Sequence, residues 1–264
     1  MDKKKIIIRI GKQSLSFTAI GGSSEDSIRF EPYVVKVGAS MAANLREAFK
    51  TESLVDGDIR EAQVLLDTPA MLVPLEQFGE EEMAQQMDYV FPAGMEKREV
   101  LYNVLPSQNA VCIFAANKDL HNVIGDRFEK AQFIQAATPV WQYLHQRSFT
   151  GHRNKLYGYF HDKQADILCF QQNRFKFCNT FDTTSGYDAL YFLLYVWKQL
   201  HMAPERDEIH LVGDIPQQEW LVAELKAYME RAYVINPTAD FQQAPATKVA
   251  GMPYDLMTFL TKGR

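Results

Sequence analysis

Only three of the 264 residues are cysteine, Cys112, Cys169 and Cys178, and no two of them form a C-x-x-C pair. A cysteine-built zinc site is therefore excluded, and a reduced compartment fits. The six histidines show neither H-x-x-x-H nor H-x-H spacing, so no metal centre is expected from them. Long apolar runs are missing as well. In MDKKKIIIRIG the run stops at Ile8 and Arg9 follows, far short of a signal-peptide core or of the roughly 20 apolar residues that span a bilayer. The expectation is a cytoplasmic protein with no direct membrane insertion. An excess of positive charge is lacking too: the net charge is −5 and the pI about 5.7, which argues against nucleic acid as a partner. There is no G-x-S-x-G, Walker sequence or dinucleotide fingerprint. The run GGSS, Gly21 to Ser24, is followed by a strand rather than a helix and reads as a hairpin turn.

What remains is an α/β pattern with a hydrophobic fraction of 47%, enough for a substantial core. KIIIRIG, SLSFTAIG and SIRFEPYVV predict three strands, SMAANLREAFK a helix capped by Ser40, and EAQVLLDTP a fourth strand. The order returns in the second half. KLYGYFH, ADILCFQ and RFKFCNTF predict three strands, and a long helix follows whose Ser185 and Asp188 have the spacing of a capping box. EIHLVGDIP is a strand, Leu221, Leu225, Tyr228 and Met229 mark another helix, and AYVINP a last strand. Between the halves lie a predicted helix containing Glu80 to Glu82 in its first turn, a hairpin of REVLYNVL and NAVCIFAA, a helix capped by Asn117, the strand AQFIQAA and a helix with Pro139 in its first turn.

These segments predict a first half over 1–150, with a small α/β insertion at about 70–150, and a second half over 151–264. PTADFQQAPATKVAGMP reads as linker-like. The helix from Ser185 is apolar nearly all round, which predicts burial between the halves; the alternative is a partner-binding face. A hairpin turn at Asn173-Arg174 would set Cys169 directly opposite Cys178, at a spacing a disulfide closes; the plainer reading is two small buried hydrophobes.

A β-β-β-α-β-α order occurring twice, with an insertion in the first copy, resembles the actin-like ATPase (ribonuclease H-like) fold. In length and order the chain is similar to bacterial actin-like assembly proteins, including the cytoplasmic scaffold of type IV pili. Through MLVPLEQFGEEE, NAVCIFAA and MPYDLMTFL it resembles more closely still an uncharacterised bacterial family with that fold.

The resemblance implies two phosphate hairpins, each with an Asp, one intervening residue and a Gly at the turn, so that carboxylates hold magnesium and backbone amides meet phosphate. In the first, Gly11 is kept but Arg9 replaces the acid. In the second, neither Phe160 nor His161 is an acid, no glycine follows, and Asp162 reads most simply as a turn former. The adenosine motif of two glycines and a small residue keeps Gly213 but carries Asp214 and Ile215. A carboxylate about 4 Å from a phosphate costs about 4 kcal/mol at an effective dielectric of 20. Arg9, Gly11, Lys12, Asp162, Gly213 and Asp214 are thus the positions of a degenerate nucleotide cleft, flanked by His161 and His210. No cofactor, metal or catalytic residue is expected, and a catalytically inactive scaffold that binds another protein is. The alternative is a nucleotide-binding protein or ATPase with a rearranged cleft using Arg9, Asp67, Asp162 or Asp214.

Overall fold

In a computed structural model the described residues are 5–21, 28–55, 57, 59–92, 97–171 and 174–263. They divide into two compact units, one holding the chain through Thr138 together with Lys248–Met252, the other holding Pro139–Thr247 and the chain from Pro253 onward.

In the first unit β1 (Lys5–Ile10), β2 (Leu15–Ile20) and β3 (Ile28–Tyr33) run antiparallel, α1 (Met41–Thr51) crosses over, and β4 (Glu61–Leu66) lies parallel to β1. A three-stranded antiparallel sheet comes next, made of β5 (Ala70–Pro74), β6 (Arg98–Leu105) and β7 (Ala110–Asn117) in the order β5-β7-β6, with α2 (Met83–Val90) between β5 and β6. The chain then returns through α3 (Lys118–Arg127) to β8 (Lys130–Gln135), which completes the first sheet as β3-β2-β1-β4-β8. The side chain of Arg127 ties that return down by donating to the carbonyls of Val55, Gly57 and Ile59.

The second unit opens with α4 (Thr138–Ser148) and continues through β9 (Lys155–His161), β10 (Gln164–Gln171), β11 (Arg174–Asp182), α5 (Gly186–Gln199), β12 (Glu208–Gly213), α6 (Gln218–Tyr228) and β13 (Ala232–Val234). It closes with α7 (Pro237–Asp240) and α8 (Tyr254–Lys262). Its sheet order is β11-β10-β9-β12-β13, strand for strand the arrangement of the first sheet. The duplicated topology expected from the sequence is present.

Local chemistry accounts for these elements. The central strands β1 and β9 are covered on both faces, so both are buried almost throughout and IIIRI shows no apolar alternation. Ser40 caps α1 by accepting from the Ala43 amide, Asn117 caps α3 by accepting from Asp119 and Leu120, and Ser185 with Asp188 forms a complete capping box on α5. Pro32 sits in β3, an edge strand, where a missing N–H is tolerated.

Four expectations are corrected. AQFIQAA belongs to the first sheet as its fifth strand and not to the insertion, because β8 pairs in parallel with β4. Glu80 and Glu81 lie in the turn ahead of α2, which starts at Met83. Within the linker-like stretch, α7 and a 3-10 turn at Pro245–Lys248 are ordered elements. Cys178 pairs with Leu168, and Cys169 with Phe177, because a bulge shifts the β10–β11 register between Cys169 and Phe170. Adjacent register positions point to opposite faces, so the two thiols do not meet and no disulfide joins them. The expected turns at residues 22–24 and at Asn173 lie outside the described residues.

Helix α5 also differs from expectation. It buries Ala189, Leu193, Val196 and Trp197 against its own sheet and α6, while Tyr187, Tyr191 and Tyr195 are 67%, 64% and 49% exposed. The tyrosine rings count as apolar in a pattern, yet their hydroxyls keep this stripe in water. Leu193→Ala is expected to cost about 3 kcal/mol of stability through cavity formation, and Tyr191→Ala no more than about 0.5. Urea unfolding of the two variants checks the assignment, and equal losses would contradict it.

Candidate functional site

The ends of the central strands are built alike in the two units. The amide of Asp67, which follows β4, donates to the carbonyl of Ile10 at 2.8 Å, and the amide of Asp214, which follows β12, donates to the carbonyl of Phe160 at 2.9 Å. Ile10 and Phe160, Gly11 and His161, and Arg9 and Tyr159 are therefore equivalent positions. The two turns match as well: the Gly11 amide donates to the Ser14 carbonyl across Lys12-Gln13, and His161 pairs with Gln164 across Asp162-Lys163.

Each predicted site residue can now be placed. Arg9 is 3% exposed in β1, and its Nη1 donates to Ser14 Oγ across the hairpin at 2.8 Å. Gly11 is buried at the turn and Lys12 is exposed. Asp162 and Lys163 have φ of +41° and +63°, the backbone of a two-residue hairpin turn, so Asp162 is a turn former. Gly213 has φ +93°, and a Cβ there would lie 2.0 Å from the Phe160 carbonyl oxygen. That glycine is required by the close approach of β12 to β9, whatever else the turn does. Asp214 is exposed just beyond it. Arg9, Gly11 and Lys12 thus share one strand end in the first unit, and Asp162, Gly213 and Asp214 share the matching end in the second.

The symmetry moves one assignment. The partner of Arg9 in the second copy is Tyr159, and the partner of Gly11 is His161. These two rings stack with centroids 4.6 Å apart and planes 18° from parallel. Tyr159 is 1% exposed and its hydroxyl donates to Asp255 at 3.2 Å. A cation and an aromatic pair thus occupy the two equivalent strand positions, and neither supplies a carboxylate.

Behind Tyr159 one face of the second sheet carries a buried polar cluster that the sequence pattern did not disclose. Asp166, 1% exposed, accepts from Trp141 Nε1 at 2.9 Å and from Thr180 Oγ1 at 2.6 Å, with His161 Nε2 3.5 Å away. Tyr143 and Arg147 of α4 both donate to Asp240, and the Lys155 ammonium donates to the carbonyls of Ser148 and Thr150. Burial, followed by the bond to Asp240, pushes the Tyr143 hydroxyl up to about 12. Burial also lowers the pKa of Lys155. The signal that could have revealed this cluster is the set of polar residues at alternate positions of β9, Lys155, Tyr157, Tyr159 and His161.

At the other end of that face a groove of about 460 Å³ is lined by Arg147, Glu208, His210, Tyr233 and Asp240, among others. His210 Nε2 lies 3.0 Å from Glu208, which also accepts from Arg153. Burial drives the His210 pKa below its usual 6.5, with Glu208 only partly opposing it. Burial acts to raise Glu208, but its bonds from His210 and Arg153 prevail and hold it low.

A family model matches residues 1–231. The chain belongs to DUF3822, a family of proteins of unknown function. No curated protein matches this DUF3822 chain. Among solved structures, a Bacteroides thetaiotaomicron protein described as having an actin-like ATPase fold and unknown function is 28% identical, with a TM-score of 0.81 over 92% of this chain and 95% of that one. The PilM-PilN type IV pilus biogenesis complex matches with a TM-score of 0.56 at 12% identity over 97% of both chains. The fold of this chain is the actin-like ATPase fold. Among the described residues, no helix is long and apolar enough to cross a membrane.

Two outcomes test this geometry. His210 has a lowered pKa when folded, so the unfolded chain binds its proton first and stability is full above about pH 6.5, then falls as pH drops below that value. Glu208, also lowered, adds a further loss at more acid pH, below its ordinary 4.5. Melting temperature measured from pH 7.5 downward is expected to decline below about pH 6.5, and His210→Gln is expected to flatten the upper part of that decline. For Gly213→Ala the expected loss is about 3 kcal/mol, from a strained φ and the clash with Phe160. A Gly213→Ala variant as stable as the parent in urea would refute the close approach.

Proposed function

We propose that this chain is a non-catalytic actin-like protein that acts in the cytoplasm by binding other proteins. The observation that carries the reading is the pair Arg9 and Tyr159. They stand at the two equivalent positions where the actin-like ATPases resemblance calls for magnesium-binding acids, and each is engaged by its own neighbour, Ser14 Oγ for Arg9 and Asp255 for Tyr159. A guanidinium repels a divalent cation, and a phenol hydroxyl committed to a buried carboxylate is not offered to one. His161, in place of the second turn glycine, adds a ring where the phosphate would approach. PilM, which shares the fold, is seen in a complex with PilN. That is consistent with a binding role and names no partner here.

A second reading keeps a nucleotide without its metal. The exposed Lys12 and the Gly11 turn lie beside Arg9, and cations at a turn can hold an anion.

Calorimetric titration of ATP and ADP, with and without magnesium, distinguishes the readings. The expected result is no magnesium-dependent heat and no phosphate release. Magnesium-dependent turnover abolished by Asp214→Asn or Arg9→Ala would defeat the proposal. Metal-independent binding lost in Arg9→Ala would select the second reading.

A further inference from the structure

Two open strand edges face each other in the first unit. β6 ends the three-stranded sheet and β8 ends the five-stranded one, so among the described residues each has one side without a strand partner. The side chain of Asn103 bridges them directly. Asn103 of β6 donates from Nδ2 to the Phe133 carbonyl at 3.1 Å and accepts at Oδ1 from the Gln135 amide at 2.8 Å. Those two bonds are the ones a neighbouring strand would make, so the Asn103 amide takes the place of a missing strand residue.

Next to this bridge the two edges enclose a groove of about 610 Å³, in the range of sites that hold a ligand. Its lining includes three consecutive residues from each strand, Val100 to Tyr102 and Ala131 to Phe133. A groove over a sheet face would be lined by alternate residues, whereas consecutive residues mean that it meets both strands edge-on, at their backbone groups. On β8 the even-numbered residues serve the ladder to β4: the flanking bonds run from Lys130 N to Arg60 O and from Ala136 N to Leu66 O. The odd-numbered residues face the groove, as Phe133 O and Gln135 N already show. Ala131 N–H, Ala131 C=O and Phe133 N–H therefore point into it, and no described residue pairs with them. An unpaired edge of this kind is a template for an added strand.

The walls state what the added strand carries. Met83, Val100, Phe128 and Phe133 offer apolar surface, and Glu80 and Glu129 are the charged groups of the lining, with no Lys or Arg among its described residues. Glu129 has an exposed contact with Arg60 at 3.2 Å, a pairing weak enough to yield to a closer cation. His121 is held by Glu99 at 3.0 Å and stacks on Phe133.

We infer that this groove binds an extended peptide segment of a partner protein, added as a strand on β8, with apolar side chains in the groove and Lys or Arg beside Glu80 and Glu129. The inference rests on the protein-binding reading above and gives it a place.

A display library of random dodecapeptides selected on the full chain tests it. Ala131→Pro removes the outward N–H without touching the ladder to β4, and proline is tolerated at such an edge. The double variant Glu80→Lys/Glu129→Lys reverses the charge and serves as a second reading if the proline variant folds poorly. Enriched peptides are expected to carry Lys or Arg next to alternating apolar residues, to bind either variant at least about tenfold more weakly, and to slow hydrogen exchange at the Ala131 and Phe133 amides. No enrichment, enrichment of acidic peptides, or binding indifferent to the folded variants would overturn the inference. Protection confined to other strands would overturn the groove and leave the protein-binding reading standing, whereas that reading itself fails only on the nucleotide titration.

Discussion

The carbonyl oxygens of Ile10 and Phe160 organise both units. Ile10 is the last residue of β1 and Phe160 the last but one of β9, and each receives the amide of the aspartate that follows the neighbouring parallel strand. The bond fixes where the two parallel strands end relative to one another, so the antiparallel hairpin on one side and the turn into the next segment on the other are brought to the same edge. In the second unit the approach is close enough that position 213 tolerates no side chain. Because a buried carbonyl must be satisfied, the same solution appears in both copies although Ile10 and Phe160 have little else in common.

From this constraint follows the contrast between the two faces of the second sheet. One face, with Leu156, Phe160, Ile167 and Leu211, packs its apolar side chains on α5 and α6. The other holds Tyr157, Tyr159, His161 and Asp166 beneath elements that bring their own polar groups, Trp141 and Tyr143 from α4 and Asp255 from α8. Buried charge is sustained there because Asp166 has two strong donors and Asp240 has a guanidinium and a hydroxyl. Such clusters favour one arrangement of their elements over others, since a slip leaves an acid without its donors.

Much of this was legible in the sequence. Ser40, Asn117 and the Ser185–Asp188 box announced their helices because capping is local chemistry, and the duplicated order of elements followed from strand and helix periods. The hairpin that carries Arg9 and Gly11 was legible for the same reason: a hairpin and its turn glycine occupy a few adjacent residues. What escaped was decided at a distance. β5 was hidden because AMLVP is short and gains its identity only by pairing with β7. The fate of AQFIQAA depended on a parallel partner about seventy residues earlier. One bulged residue in the β10–β11 pair reversed the facing of two cysteines. The equivalence of Tyr159 with Arg9 needed the strand-end hydrogen bonds, which no single sequence displays.

The bond from Tyr159 to Asp255 has a bearing on how such a chain can change over generations. An aspartate at position 159 would remove the hydroxyl that Tyr159 donates to Asp255 and set a third carboxylate in a pocket already holding Asp166 and Asp255, each 1% exposed. Like charges so confined raise one another's proton affinity and weaken the fold. A lineage could gain an acid at that strand end only by altering α8 in the same step. Positions 159 and 255 are therefore physically coupled, and a change at either alters what the other can accept.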